Sequence, residues 1–211
     1  MTHDWAKNEG AVTDTLAAMP DTSALDAIQD DCLHLLMTAA SFRHLGETFD
    51  PNAGTRLDLH MASIQLRAIE NDIIIRVCRF DDEHKTQMSL RHAAKAVRAA
   101  GMRDADIKVI DARMKNFRQT INPLKTRRRN EHVGHLAISV TQPHDAAGLT
   151  SPESVLAWCW EPVRIVDLLA QATCAYGMEP TRGQRLDLRA YCGVDSETFP
   201  PLEECMSRGI M

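Results

Sequence analysis

Apolar residues recur at intervals of three and four along most of this chain, and the sustained alternation that makes strands is scarce. The clearest stretch runs through Leu59, Ala62, Leu66, Ile69, Ile73, Val77 and Phe80. It holds one helical face for about six turns and predicts a core helix. Thr55, with Asp58 three positions later, reads as a capping box that opens it, and "FDPNAGT" just before is a turn. An earlier helix is predicted from about Ser23 to Glu47, on Leu25, Ile28, Cys32, Leu35 and Leu36. "DDEHKTQ" closes the second helix, and "MSLRHAAKAVRAAG" predicts a third, stopped by Gly101. "DADIKVIDARMKNFRQTI" predicts a fourth, with Asp104 as candidate cap and Ile107, Ile110, Met114 and Phe117 facing inward. Pro123 either kinks that helix or starts a new one capped by Asn122. A segment from Leu124 to about Ala137 follows, then a loop, "VTQPHDAAGLT". Ser151 and Pro152 suit the N-cap and first position of a further helix bearing Val155, Cys159, Val166 and Leu169, with Pro162 as a point of division.

The expected organisation is a weakly ordered lead over residues 1–20, a helical domain over 21–177 and an irregular tail over 178–211 with one short helix. The fold class is all-α, an antiparallel bundle of four to five main helices. A length of 211 residues, 44% hydrophobic and 5% aromatic, suits one such domain. No window approaches the ~20 apolar residues that span a bilayer, and the first residues hold no apolar run suited to a signal peptide. The six cysteines are scattered with no C-x-x-C pair, so reduced, mostly buried thiols in a cytoplasm are expected. Phosphate-loop, dinucleotide and nucleophile-elbow motifs are absent, and no cofactor is expected.

Charge changes this picture. The formal net charge is -5 and the isoelectric point about 6.0, which argues against a general nucleic-acid binder. Yet from Ala112 to Asn130 there are seven basic residues and no acid, and from His84 to Arg103 five more and no acid. Two successive helices of an acidic chain thus carry a concentrated positive field, the electrostatic footprint of a nucleic-acid surface. The plainer alternative is two solvated faces balanced by acids on neighbouring helices.

The second run ends in "RRRNEHVGHLA", Arg127 to Ala137. Cutting RNA without a metal needs a group that takes the proton from a ribose 2′-hydroxyl or gives one to the leaving 5′-oxygen, and histidine titrates in the right range. It also needs a fixed cation on the phosphate oxygens, which an arginine fork supplies. A short amide can hold either group in place. Arg129, Asn130 and His135 offer these parts within seven residues.

"RNEHVGH" resembles the signature of the HEPN superfamily, helical domains in which an arginine precedes a histidine by four to six intervening residues; Asn130 and Gly134 also fit its pattern. "IIIRVCRFDDEHKTQMSLRHAAK", Ile73 to Lys95, resembles the second helix and following stretch of the abortive-infection AbiU-like branch. The resemblance covers roughly residues 25–175. It implies a bundle that forms a homodimer with two Arg–His sets around one cleft, and metal-independent endoribonuclease activity in toxin–antitoxin or antiphage defence, with a possible cognate antitoxin. By position it makes Arg129 the transition-state cation, Asn130 the positioning group and His135 the acid or base. Arg127, Arg128, His132, Lys125 and Arg118 would support RNA binding, and Asp81 would orient a histidine.

Some points stay open. In a regular helix Arg129 and His135 lie about 240° apart, whereas Arg128, His132 and His135 share a face. Either the helix is distorted, or the site is completed across a dimer, or Arg128 is the working arginine; the family pattern favours Arg129. Ala137 stands where the family's nucleotidyltransferase-paired toxins often carry a modifiable tyrosine, so silencing there is not expected. His132 and His135 lack a carboxylate-rich partner motif, and no metal site is expected. Asp81 and Asp82 also read simply as a solvated helix end, and "WCWEP" as tryptophans half in the core. The alternative to a ribonuclease is a catalytically silent helical module that binds RNA or a protein.

Overall fold

The computed structural model describes residues 21–50, 52, 54–82, 88–126 and 152–195, and among them the chain is a helical bundle. Helix α1, Asp21–Thr48, lies at its centre, packed against α2 (Arg56–Phe80), α3 (Leu90–Ala99) and α5 (Pro152–Ala170). Helix α4, Asp104–Pro123, packs on α3 and α5. Ile28, Cys32, Leu35, Leu36, Ala39 and Phe42 of α1 are all buried, as the three- and four-residue spacing requires.

The capping box forms as expected. Thr55 Oγ1 accepts from the Asp58 N–H at 3.3 Å and Asp58 Oδ2 accepts from the Thr55 N–H at 2.7 Å. The stripe behind it buries Ala62, Ile73, Val77 and Phe80, while Leu59 at its outer end remains partly exposed. Gly101 ends α3 at φ +93°, where its N–H bonds Arg98 O and the Met102 N–H bonds Val97 O. This paired closure satisfies the last carbonyls of α3 and turns the chain into α4.

Three expectations about helix ends are corrected. Arg103, not Asp104, occupies the N-cap of α4; Asp104 and Asp106 lie in its first turn, where negative charge favours the helix dipole. Asn122 and Pro123 both fall inside α4, so Pro123 starts no new helix. Residues 124–126 continue in a wider π-type turn, which suits a proline that has no N–H to give. Pro162 does not divide α5, whose Val155, Leu156, Cys159, Val163, Ile165, Val166 and Leu169 are buried around it. Ser151 lies outside the described residues.

Past α5 the described chain holds two short strands and one short helix. Strands β1 (Gly177–Thr181) and β2 (Gln184–Asp187) pair antiparallel, Met178 opposite Leu186, with Gly183 at φ +80° in the turn. Asp187 then caps the short helix α6, Leu188–Tyr191, accepting from the Arg189 N–H at 2.8 Å. Leu186, Leu188, Tyr191, Cys192 and Val194 enter the same core as the bundle. Arg189, itself buried, bonds both carboxylate oxygens of Asp167 (3.1 and 2.9 Å) and of Asp195 (3.1 and 2.8 Å) and ties α6 to α5. Trp160 donates its indole N–H to Cys192 O at 2.7 Å, and Trp158 is half-buried. Among the described residues Cys32, Cys78, Cys159, Cys174 and Cys192 are free thiols, and burial pushes Cys32 and Cys159 well above the ordinary thiol range. No helix among them is long and apolar enough to cross a membrane.

Candidate nucleic-acid interface

Helix α3 turns Leu90, Ala93 and Ala94 inward, which leaves Arg91, Lys95 and Arg98 on another face at offsets of four and seven. Helix α4 buries Ile107, Ile110, Phe117 and Ile121, and Asp111, Lys115 and Arg118 lie along a second face at the same offsets. The Gly101 turn sets these two faces against each other. Between them is an open cleft of about 380 Å³, with Ala94 and Met114 in its lining and Asp81, from the end of α2, at one side.

Five basic and two acidic side chains line this cleft, a formal excess of three positive charges. Arg98 Nη2 bonds Asp111 Oδ2 at 3.0 Å, with both side chains half exposed. Arg118 grips Asp81 with Nε at 2.9 and 3.0 Å and Nη2 at 2.9 Å. Lys125 reaches the same residue, Nζ lying 2.6 Å from Oδ2 and 2.7 Å from the backbone carbonyl. That carbonyl is at the C-terminus of α2, where a cation is favoured. The charge left unmatched is that of Lys95 and Lys115. Lys95 and Lys115 are exposed and pair with no acid among the described residues.

The two runs that are free of acid in sequence are not free of it in space. Arg103 pairs with Asp106 at 2.8 Å and Arg113 with Glu161 at 3.2 Å, besides the three cations already named. Balancing by neighbouring helices, the plainer alternative, holds for Arg98, Arg113, Arg118 and Lys125, while Arg103 is matched within its own helix. Of the expected supporting residues, Arg118, Lys125 and Asp81 are brought together, and the buried carboxylate of Asp81 is held between the two cations. Arg127, Arg128, Arg129, Asn130, His132 and His135 lie outside the described residues. The preceding described residue, Thr126, follows Lys125 directly, so the chain enters the motif from a residue bonded to the cleft's edge.

Sequence reasoning counted Arg91, Lys95, Arg98 and Lys115 as charge without assigning them a site. Their signal was legible: both helices repeat a charged residue at i, i+4 and i+7 on a face about a quarter turn from their apolar one. Among the described residues no three His, Cys, Asp or Glu side chains gather as metal ligands. The fold and the cleft define a helical bundle with a groove of net positive charge between two consecutive helices. No family model, curated protein or solved structure matches the chain.

Proposed function

We propose that this chain is a metal-independent endoribonuclease of the HEPN type, acting as a toxin–antitoxin or abortive-infection effector in the cytoplasm. The observation that supports this reading is the convergence of two distinct basic runs on one cleft whose edge, through Asp81 and Lys125, leads into "RRRNEHVGH". Arg91, Lys95 and Lys115 hold the phosphate backbone of RNA, and the acidic remainder of the protein limits unspecific contact. His135 takes the proton of a ribose 2′-hydroxyl, or donates one to the departing 5′-oxygen, as that hydroxyl attacks the adjacent phosphorus. The phosphorus–5′-oxygen bond breaks, leaving a 2′,3′-cyclic phosphate and a 5′-hydroxyl. Arg129 meets the charge that gathers on the non-bridging oxygens, and Asn130 holds one of these groups in place.

The test is cleavage of end-labelled tRNA and mRNA in excess EDTA by the purified protein and by His135→Ala. The expected outcome is a chelator-resistant cut with cyclic-phosphate ends, reduced at least ~100-fold in the variant, the scale at which a general acid or base acts. If both proteins leave RNA intact yet retard it equally on a gel, the cleft serves a catalytically silent RNA-binding module instead.

A further inference from the structure

Helix α4 carries polar groups on two sides. Asp111, Lys115 and Arg118 face the cationic cleft, and Arg113 and Asn116 line a second groove, between α4 and α5. This groove holds about 500 Å³, with Phe117, Ile121 and Trp158 as its apolar lining. Phe117 and Ile121 are buried, while Trp158 is only half-buried and its N–H bonds no described residue. Arg113 and Glu161, which also line the groove, pair between the two helices. One nitrogen of the arginine, Nη1, spans both carboxylate oxygens, at 3.2 and 3.3 Å, and its Nε and Nη2 bond nothing among the described residues. A guanidinium that holds a carboxylate firmly uses two nitrogens, as Arg118 does on Asp81. The Arg113–Glu161 pair is long and partly exposed, so it opens at little cost.

We propose that this groove binds one guanine base of a single-stranded RNA, an inference that rests on the RNA-binding part of the reading above and adds a base preference to it. The apolar lining and the open indole suit a flat aromatic ring, and stacking on a tryptophan serves any base. The edge groups choose among them. Of the RNA bases only guanine presents two neighbouring N–H donors, N1–H and N2–H, beside an acceptor, O6. A carboxylate takes the two donors at once, and a guanidinium gives to the acceptor. Glu161 and Arg113 are such a carboxylate and guanidinium, already side by side. The base takes the place of Nη1 before the carboxylate, and Arg113 turns its unused N–H groups to O6. Adenine, cytosine and uracil each offer the carboxylate a single nitrogen. The path to the groove is also on α4. At about 100° per residue, Ala112 faces outward between the cleft and the groove, and its methyl leaves a low crossing. Lys108 and Lys115 stand on the cleft side of that crossing, both exposed and without a bonded partner among the described residues. A strand whose phosphates lie on Lys95 and Lys115 thus reaches the second groove within a few nucleotides.

The experiment is fluorescence anisotropy of 2′-O-methyl oligonucleotides, which lack the free hydroxyl that cleavage needs. Oligouridine with one central guanosine is compared with plain oligouridine on the full chain. The wild type should bind the guanosine strand at least ~10-fold more tightly, the scale of one two-bond base contact. Glu161→Gln should abolish that preference, whatever the lost negative charge does to both affinities. Trp158→Leu, its fold checked by circular dichroism, should weaken the guanosine strand about tenfold through the lost stack. Lys115→Ala should weaken both strands and keep the preference. Inosine, which lacks the 2-amino group, should lose most of it; an inosine strand bound as tightly as the guanosine strand overturns the edge contact. Guanosine monophosphate should compete only weakly, having no neighbouring phosphates for Lys95 and Lys115. If it binds as tightly as the strand, the groove takes a free nucleotide and the proposal of an RNA base is overturned. A guanosine preference that survives Glu161→Gln puts the base elsewhere and also overturns it. Equal wild-type affinity for both strands overturns the base site alone and leaves the cleft as the RNA surface, whereas binding of neither strand ends the RNA reading and this proposal together.

Discussion

Asp81 shows how much a single side chain can decide. In sequence it is an acid just past the end of a helix; in the fold it is a buried carboxylate held by Arg118 and Lys125, 37 and 44 residues away. Removing it by Asp81→Ala leaves a guanidinium and an ammonium facing each other without their counter-charge. Breaking a buried pair costs about 3–5 kcal/mol and an exposed pair under about 1 kcal/mol, and Arg118 is 35% exposed. A loss of roughly 2 kcal/mol is therefore expected in urea unfolding; a change below about 0.5 kcal/mol would show the cluster to be solvated and idle. RNA affinity should not fall in the same variant, because it loses a negative charge at the cleft. Asp81 could be picked out in the sequence as a candidate, but its partners could not. Nothing local distinguishes an arginine that will meet a distant acid from one that will meet a phosphate.

Helices were the most legible scale, because their determinants sit within a few residues of each other. Thr55 and Asp58 announce the start of α2, and both bonds of the box are present. The Thr55 hydroxyl, followed by its backbone N–H, holds the Asp58 carboxyl below its ordinary range. A group whose folded pKa is lowered stabilises the fold above its unfolded value of 3.8, and that contribution fades as pH falls through the lower folded value. The melting temperature of the wild type should exceed that of Asp58→Ala at pH 7, and the gap should narrow below pH 4 as the acid is protonated. An equal gap at every pH would mean that the charge contributes nothing. Proline positions were less legible. Pro123 and Pro162 are local signals for a break, yet α5 runs through the second, its apolar face being sunk in the core. The hairpin at Gly177–Asp187 was missed because its strands are short, charged and interrupted by Pro180, with few positions buried to reveal an alternation.

For the whole molecule, the effective charge is that of the cleft and not of the chain. A protein of formal charge -5 should still bind RNA, through the excess left by Lys95 and Lys115 once neighbouring acids are matched. Lys95→Ala and Lys115→Ala should each weaken single-stranded RNA in a gel shift without lowering the melting temperature. Each should also flatten the slope of log affinity against log salt by about 0.7, the counterion share of one phosphate contact on a single strand. Unchanged slopes in both would move the RNA away from this cleft. The sequence by itself determined the helices, their inward faces, the first cap of α2 and the place where basic charge gathers, because propensity, period and capping act over one or two turns. Only the tertiary structure decided which cations remain unbalanced, that α3 and α4 enclose a groove, and that the residues after α5 join the main core. Those outcomes depend on pairings between residues tens of positions apart, and such pairings exist only once the helices have packed.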